Sequence, residues 1–293
     1  MTAKSPARRL RKVLTPAVAT IALASLVGWL APGATADPVS GNAELKSSAS
    51  AFGGYSGHRE PKPTIVLVHG AFTDASVWRG VIDRLRSSGY PVVAPAIPLR
   101  GLASDSAYLA AFLKTVQGPI VLVGHSYAGA VISSAARNNS SVRSLVYVAA
   151  FQPDAGETAG GLNAKFPGSK LGPATTVALP YPGGNDVYLK PENFRDVYAG
   201  DVDSRTANEM AVTERPVEAS ALSESFQGAA AWHTIPSWAI VADQDQSLPP
   251  ALERYMADRA HSKVTSVRSS HAVPVSHPGP VTDVIVDAAR SVR

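Results

Sequence analysis

Residues 119–130, PIVLVGHSYAGA, constrain the fold of this chain more than any other stretch. Ile120 to Val123 form a short apolar run, rich in β-branched side chains, that reads as a buried strand. It enters Gly124-His125-Ser126-Tyr127-Ala128 directly and continues through small residues, 129–136, that suit a helix lying close to its neighbours. The reading is strand, sharp turn, helix, with a serine at the apex. A serine hydroxyl is a weak nucleophile until it is lifted clear of the backbone, met by a base, and set beside N–H groups that can hold an oxyanion. A strained strand-to-helix turn does the lifting, and small neighbours are needed because strand and helix pass close together. The pattern G-x-S-x-G also arises by chance, and Ala128 stands at its last position. The rest of the chain has to decide.

Around that turn the sequence alternates. Residues 64–68 (TIVLV) read as a strand ending at His69-Gly70-Ala71-Phe72, 76–88 as a helix closed by Gly89, and 91–94 as a strand. An amphipathic helix is expected over 105–116, and a strand over 144–149 follows the serine turn. Strands at 237–242 and 264–267, with helices over 250–259 and near 281–291, complete the pattern. Strands this continuously apolar are covered on both sides, so the fold class is α/β, a mostly parallel sheet with helices on both faces. From 152 to 232 the alternation breaks. Gly and Pro crowd its first half, short helical runs at 204–212 and 218–225 its second, and its length marks an inserted cap rather than a loop.

The N-terminus belongs to a different category. Residues 1–12 carry five basic side chains, an apolar run follows over 13–30, and Ala34-Thr35-Ala36 precedes Asp37. This is the layout of a secretory signal peptide over 1–36, cleaved after Ala36, with an uncleaved anchor as the competing reading. Residues 37–63, rich in Ser, Gly and Ala, read as a flexible leader, and 64–293 as the folded domain. Removing 1–36 leaves 22 Lys and Arg against 23 Asp and Glu, a net charge near −1 instead of +4. That balance gives no reason to invoke nucleic acid as a partner, nor a membrane once the signal is gone. The chain has no cysteine, which excludes thiol nucleophiles, thiolate metal sites and disulfides, so an exported form depends on its core.

Ligands of open α/β sheets bind at the carboxyl ends of the strands. Four strand ends here carry reactive or polar groups: His69-Gly70-Ala71, Ser126, Asp243-Gln244-Asp245 and, after the last strand, His271. Ser, Asp and His follow in that order along the chain. Among the seven histidines, His271 and His277 both follow the last strand, and His271 lies nearer its end. For the acid, Asp245 leads over Asp243, with Asp154 as an outside choice. The oxyanion donors expected from this layout are the N–H of Tyr127, at the start of the helix after the serine, and the N–H of Ala71.

With VLVHGAF (66–72), VGHSYAG (123–129), the Asp245-x-x-x-Pro-Pro turn and SSHAVPVSHP (269–278), the chain resembles the α/β-hydrolase superfamily. It is similar to the small serine esterase branch that includes plant methyl esterases and hydroxynitrile lyases. The resemblance implies the α/β-hydrolase fold, with Ser126 as nucleophile, His271 as base, Asp245 as acid, and Ala71 and Tyr127 as oxyanion donors. Gly70 and Ala272 stand where the cyanohydrin-cleaving relatives have threonine and lysine, which points to ester hydrolysis. Taken with the N-terminal signal, the expectation is an exported carboxylesterase working through an acyl-enzyme, its partner a small-molecule ester, with no metal or organic cofactor implied, and the cap suggests short or medium acyl or aryl esters. Phe72 and Trp232 are expected near the substrate pocket. A cofactor-free perhydrolase or lyase on the same fold, and a low-turnover ligand-binding protein, are the alternatives.

Overall fold

The computed structural model describes residues 62–292. The signal peptide expected over 1–36, and the leader up to residue 61, lie outside the described residues. β1 (Thr64–Val68) is followed by a 3₁₀ turn, Ala75–Trp78, and α1 (Arg79–Ser87), then by β2 (Val92–Val93) and α2 (Leu102–Leu113). β3 (Ile120–His125) leads into α3 (Ala128–Ala135), and β4 (Val142–Val148) closes this half of the sheet. The chain then leaves the sheet for almost ninety residues: α4 (Ala159–Asn163), β5 (Thr176–Tyr181), β6 (Gly184–Leu189), α5 (Pro191–Val197), α6 (Ser204–Thr213) and β7 (Val217–Glu218). It returns at β8 (Ser237–Ala242) and ends with α7 (Pro250–Arg259), β9 (Lys263–Val267), α8 (Val273–Ser276) and α9 (Pro278–Arg290).

The main sheet runs β2-β1-β3-β4-β8-β9, every neighbour parallel. β3 sits inside it, and its side chains alternate between two separate cores. Ile120 and Leu122 join the cluster holding Leu109, Val131 and Met256, under α2, α3 and α7. Val121 and Val123 join the cluster holding Val81, Leu85 and Ile285, under α1 and α9. All four are fully buried, each worth roughly 1.5–3 kcal/mol of transfer free energy. Two-sided burial is why these strands read as continuous apolar runs.

The differences from the expected elements have local causes. The helix expected over 76–88 begins as a 3₁₀ turn, because Asp74 caps Ser76 N at 2.8 Å, and becomes α-helical only at Arg79. α2 starts at Leu102, three residues early, because Glu224 accepts hydrogen bonds from the N–H groups of Leu102 (2.5 Å) and Ala103 (3.1 Å). The inserted segment contains an antiparallel sheet, β5-β6-β7, where the sequence showed only Gly and Pro. Pro180 within β5 demotes that run as a strand reading. The helical run expected over 218–225 is the end of β7 followed by a 3₁₀ turn, Ala219–Leu222.

Candidate active site

Between β3 and α3 the backbone reverses at a single residue. Ser126 has φ 56°, the left-handed region that a side chain enters at a cost of order 1–3 kcal/mol. Hydrogen bonds hold it there: Ser126 N donates to Val148 O (3.2 Å), and Ser126 O accepts from Gly129 N (3.0 Å) and Phe151 N (3.1 Å). The small residues around it leave no room for more. A Cβ on Gly129 would lie 2.1 Å from Phe151 O, and one on Gly124 would lie 2.9 Å from Ala128 O. At Gly70 it would meet Ser126 Cβ at 2.7 Å and His125 O at 2.8 Å. Ala128 itself is fully buried, its methyl part of the core.

His271 follows β9 and is 1% exposed. Its Nδ1 and Asp245 Oδ2 are 2.5 Å apart, both side chains being removed from solvent. The other carboxylate oxygen, Oδ1, accepts from Ser247 N (2.6 Å) and Leu248 N (2.8 Å). A buried carboxylate needs such donors, and three charge-assisted bonds offset much of its desolvation. With the proton on Nδ1 directed at the carboxylate, the ring's Nε2 is left as the basic nitrogen. The ring is packed edge-on against Tyr198, centroids 4.8 Å apart. His125 Nε2 lies 2.9 Å from His271 O, which ties the turn of Ser126 to the loop of His271. Burial, and after it the neighbouring His271, pushes His125 well below the usual imidazole range, so it is neutral and donates through Nε2.

The other candidates are engaged elsewhere. Asp243 pairs with Arg254, and Asp154 with His233 at 3.1 Å, both near the surface. His277 Nδ1 lies 2.9 Å from Ser276 Oγ and 3.3 Å from Asp201 Oδ2. His69 accepts from Ile97 N at 3.0 Å, bracing the loop after β2.

Ser126, Tyr127, Ala71, Phe72 and His271 line one cavity of about 40 Å³, together with Tyr198, Asn163 and Leu222. Among the described residues, the N–H groups of Ala71 and Tyr127 donate to nothing else, as befits a helix start whose first donors are unpaired. Tyr127 is anchored by its hydroxyl, which donates to Asp105 Oδ2 at 2.9 Å. No hydrogen bond joins Ser126 Oγ to the His271 ring; the two share the cavity wall. A second cavity of about 440 Å³ adjoins this one, sharing Phe72, Gly160, Asn163, Leu171 and Leu222. Trp232 is not on these walls. Its indole donates to Pro153 O (3.0 Å) and stacks on His233, centroids 3.8 Å apart, so the expectation of a pocket role is corrected. Tyr198, Asn163, Leu171 and Leu222, which sequence reasoning missed, all come from the inserted segment. Among the described residues no cluster of three or more His, Asp or Glu side chains is disposed to hold a metal ion.

A sequence model of the Alpha/beta hydrolase family matches residues 65–284, which is most of the chain. The chain belongs to the alpha/beta hydrolase family. Alpha/beta hydrolase nvfD of Aspergillus novofumigatus is 27% identical over 254 residues, 78% of this chain and 97% of the relative. A carbendazim hydrolyzing esterase of a Nocardioides species is 35% identical over 106 residues, 32% of this chain and 44% of that one. Among solved structures, a methylesterase from Arabidopsis superposes with a TM-score of 0.66 at 17% identity, covering 78% of this hydrolase and 99% of the methylesterase. At that identity the likeness concerns the fold.

Proposed function

We propose that this chain is a serine carboxylesterase whose nucleophile is Ser126. The observation that carries the reading is the buried His271–Asp245 pair on the wall of the cavity that also holds the strained serine. In the reaction, His271 Nε2 removes the hydroxyl proton as Ser126 Oγ bonds to the ester carbonyl carbon. The N–H groups of Ala71 and Tyr127 hold the oxyanion. The imidazolium, balanced by Asp245, then protonates the departing alcohol. Water, deprotonated by the same ring, releases the acid and restores the serine. The cramped chamber at Ser126, opening into the larger apolar cavity past Phe72, suits an ester with one small and one bulkier side, of the short or medium acyl or aryl class. That the Nocardioides relative and the Arabidopsis neighbour are described as esterases supports the reaction class.

The test is Ser126→Ala assayed with a short p-nitrophenyl ester. We expect kcat to fall by roughly 10⁵- to 10⁶-fold with an unchanged melting temperature. Turnover persisting in the folded variant would overturn the assignment. Export follows from the N-terminal pattern as a separate proposal: the secreted protein should begin at Asp37, and a secreted chain still carrying residues 1–36 would contradict it.

A further inference from the structure

Behind Asp245 lies a second carboxyl group that the mechanism does not use. Glu253, on the first turns of α7, is 3% exposed. Its Oε2 accepts from Ala242 N at 3.2 Å, at the end of β8 where the turn carrying Asp245 begins. Its Oε1 is buried and has no partner. Ala242 is bonded on its other side as well, its carbonyl accepting from Asp245 N at 3.1 Å, so the Glu253 carboxyl packs against the turn that carries Asp245, with that carboxylate as its charged neighbour. Two carboxyl groups removed from water and this close cannot both stay ionised on the strength of one imidazole.

The surrounding charges do not relieve the conflict. β8 carries no ionisable side chain, and β9 carries only Lys263, whose ammonium lies over the Trp238 ring, 4.8 Å from its centroid. On α7 itself, Arg254 favours the Glu253 anion but is paired at the surface with Asp243, Arg259 is paired with Glu157, and the Tyr198 hydroxyl near Asp245 is uncharged. One proton must therefore sit on the pair. Asp245 receives two backbone N–H bonds and the His271 bond, whereas Glu253 receives one long N–H bond. The proton belongs where the anion is less supported. Placing it on Oε1 also turns the unpartnered acceptor into a donor.

We infer that Glu253 is a neutral carboxylic acid that donates a hydrogen bond to Asp245, a positioning residue that keeps a single negative charge behind His271. Burial, and after it the charge of Asp245, pushes the Glu253 carboxyl well above its ordinary range, in keeping with this assignment. The effect on catalysis rests on the serine esterase reading; the position of the proton does not.

The proton can be read directly by infrared spectroscopy of the whole protein labelled with ¹³C in its glutamate carboxyl groups, at about pH 9.5, well above the range of Glu214. Solvated glutamates are then ionised, and so is Glu214, whose carboxyl is pushed up only to about 7. A protonated-glutamate carbonyl band, absent from Glu253→Gln, is expected; its absence from the parent overturns the inference even if ester turnover is normal. The band's presence without any turnover would sink the esterase reading alone. The acid limb of kcat/KM, which follows the His271 imidazolium, supplies the functional readout. Glu253→Leu removes a donor from Asp245 and should move that limb upward, and Glu253→Gln, which keeps a donor, should restore it. If Glu253 were an anion, both variants would remove a negative charge and move the limb downward, which would contradict the proposal, as would no movement in Glu253→Leu. Should Glu253→Leu fail to fold, the band and the Glu253→Gln limb decide between the same two outcomes.

Discussion

Ser126 and Gly70 divide one steric problem between them. The serine takes the left-handed backbone, and the glycine gives up its side chain so that the first strand's loop can lie against it. Gly70→Ala should therefore displace Ser126, cost about 1–3 kcal/mol of stability, and lower kcat more than it raises KM. A melt and a Michaelis curve check this together. Tyr198 presents the reverse case: its hydroxyl is buried without a partner, so nothing is lost when it goes. Tyr198→Phe should melt at or above the parent temperature, since a buried unpaired polar group is a net cost. That Ser126, Gly70, Ala71 and Tyr127 come together was legible because the arrangement is local, two strand ends and the few residues after each. The sequence ranked Asp245 ahead of Asp243 on its place in the turn alone; burial and the N–H groups of Ser247 and Leu248 are what set the two apart in the fold. Trp232 misled for the opposite reason: an apolar aromatic in an inserted segment suggests a pocket, but its indole partner, Pro153, is distant in sequence.

Helices and strands follow the same division between local and remote causes. The positions of β1, β3, β8 and α7 were readable from apolar runs and from Pro and Gly punctuation. The start of α2 was not, because Glu224 sets it from across the fold, and the β5–β6 hairpin was hidden by Pro180 and by its exposed, weakly patterned side chains. α6 shows how a helix end can carry a pH signal. Its C-cap is Glu214, half-buried, with one carboxylate oxygen accepting from Leu189 N at 3.3 Å. Burial pushes that carboxyl from 4.5 to about 7, and a helix C-terminus disfavours an anion as well. The folded chain thus binds the proton more tightly than the unfolded one, so this group's support for the fold is intact below about pH 4.5 and is lost as pH rises through 7. Glu214→Gln should raise the melting temperature at about pH 8 and leave it unchanged near pH 4.5. Equal effects at both values would show that the charge is not the cause.

The domain as a unit places its reactive groups where the two halves of the parallel sheet meet, and buries neutral imidazoles to do so. Burial holds both His69 and His125 below 6.5. The unfolded chain therefore takes up protons that the folded one refuses, and the stability these residues confer is complete above pH 6.5 and declines below it. Melts between about pH 7 and pH 5 should show this fall, reduced in His125→Gln, which keeps a donor for the His271 carbonyl. The parallel sheet and the closeness of the loops after β1, β3, β8 and β9 were foreseeable from the alternation of elements; the order of the strands was not read. The walls of the cavity were not, because a segment without strong periodicity supplies Tyr198, Asn163, Leu171 and Leu222.

The account turns on Ser126 being made nucleophilic by His271. Treating the intact protein with a fluorophosphonate and mapping the adduct by peptide mass spectrometry tests this most directly. The account predicts one phosphonyl group per chain, on Ser126, and none in folded His271→Ala. A protein that turns over esters while its label settles on another residue, or that labels Ser126 equally without the imidazole, would contradict it.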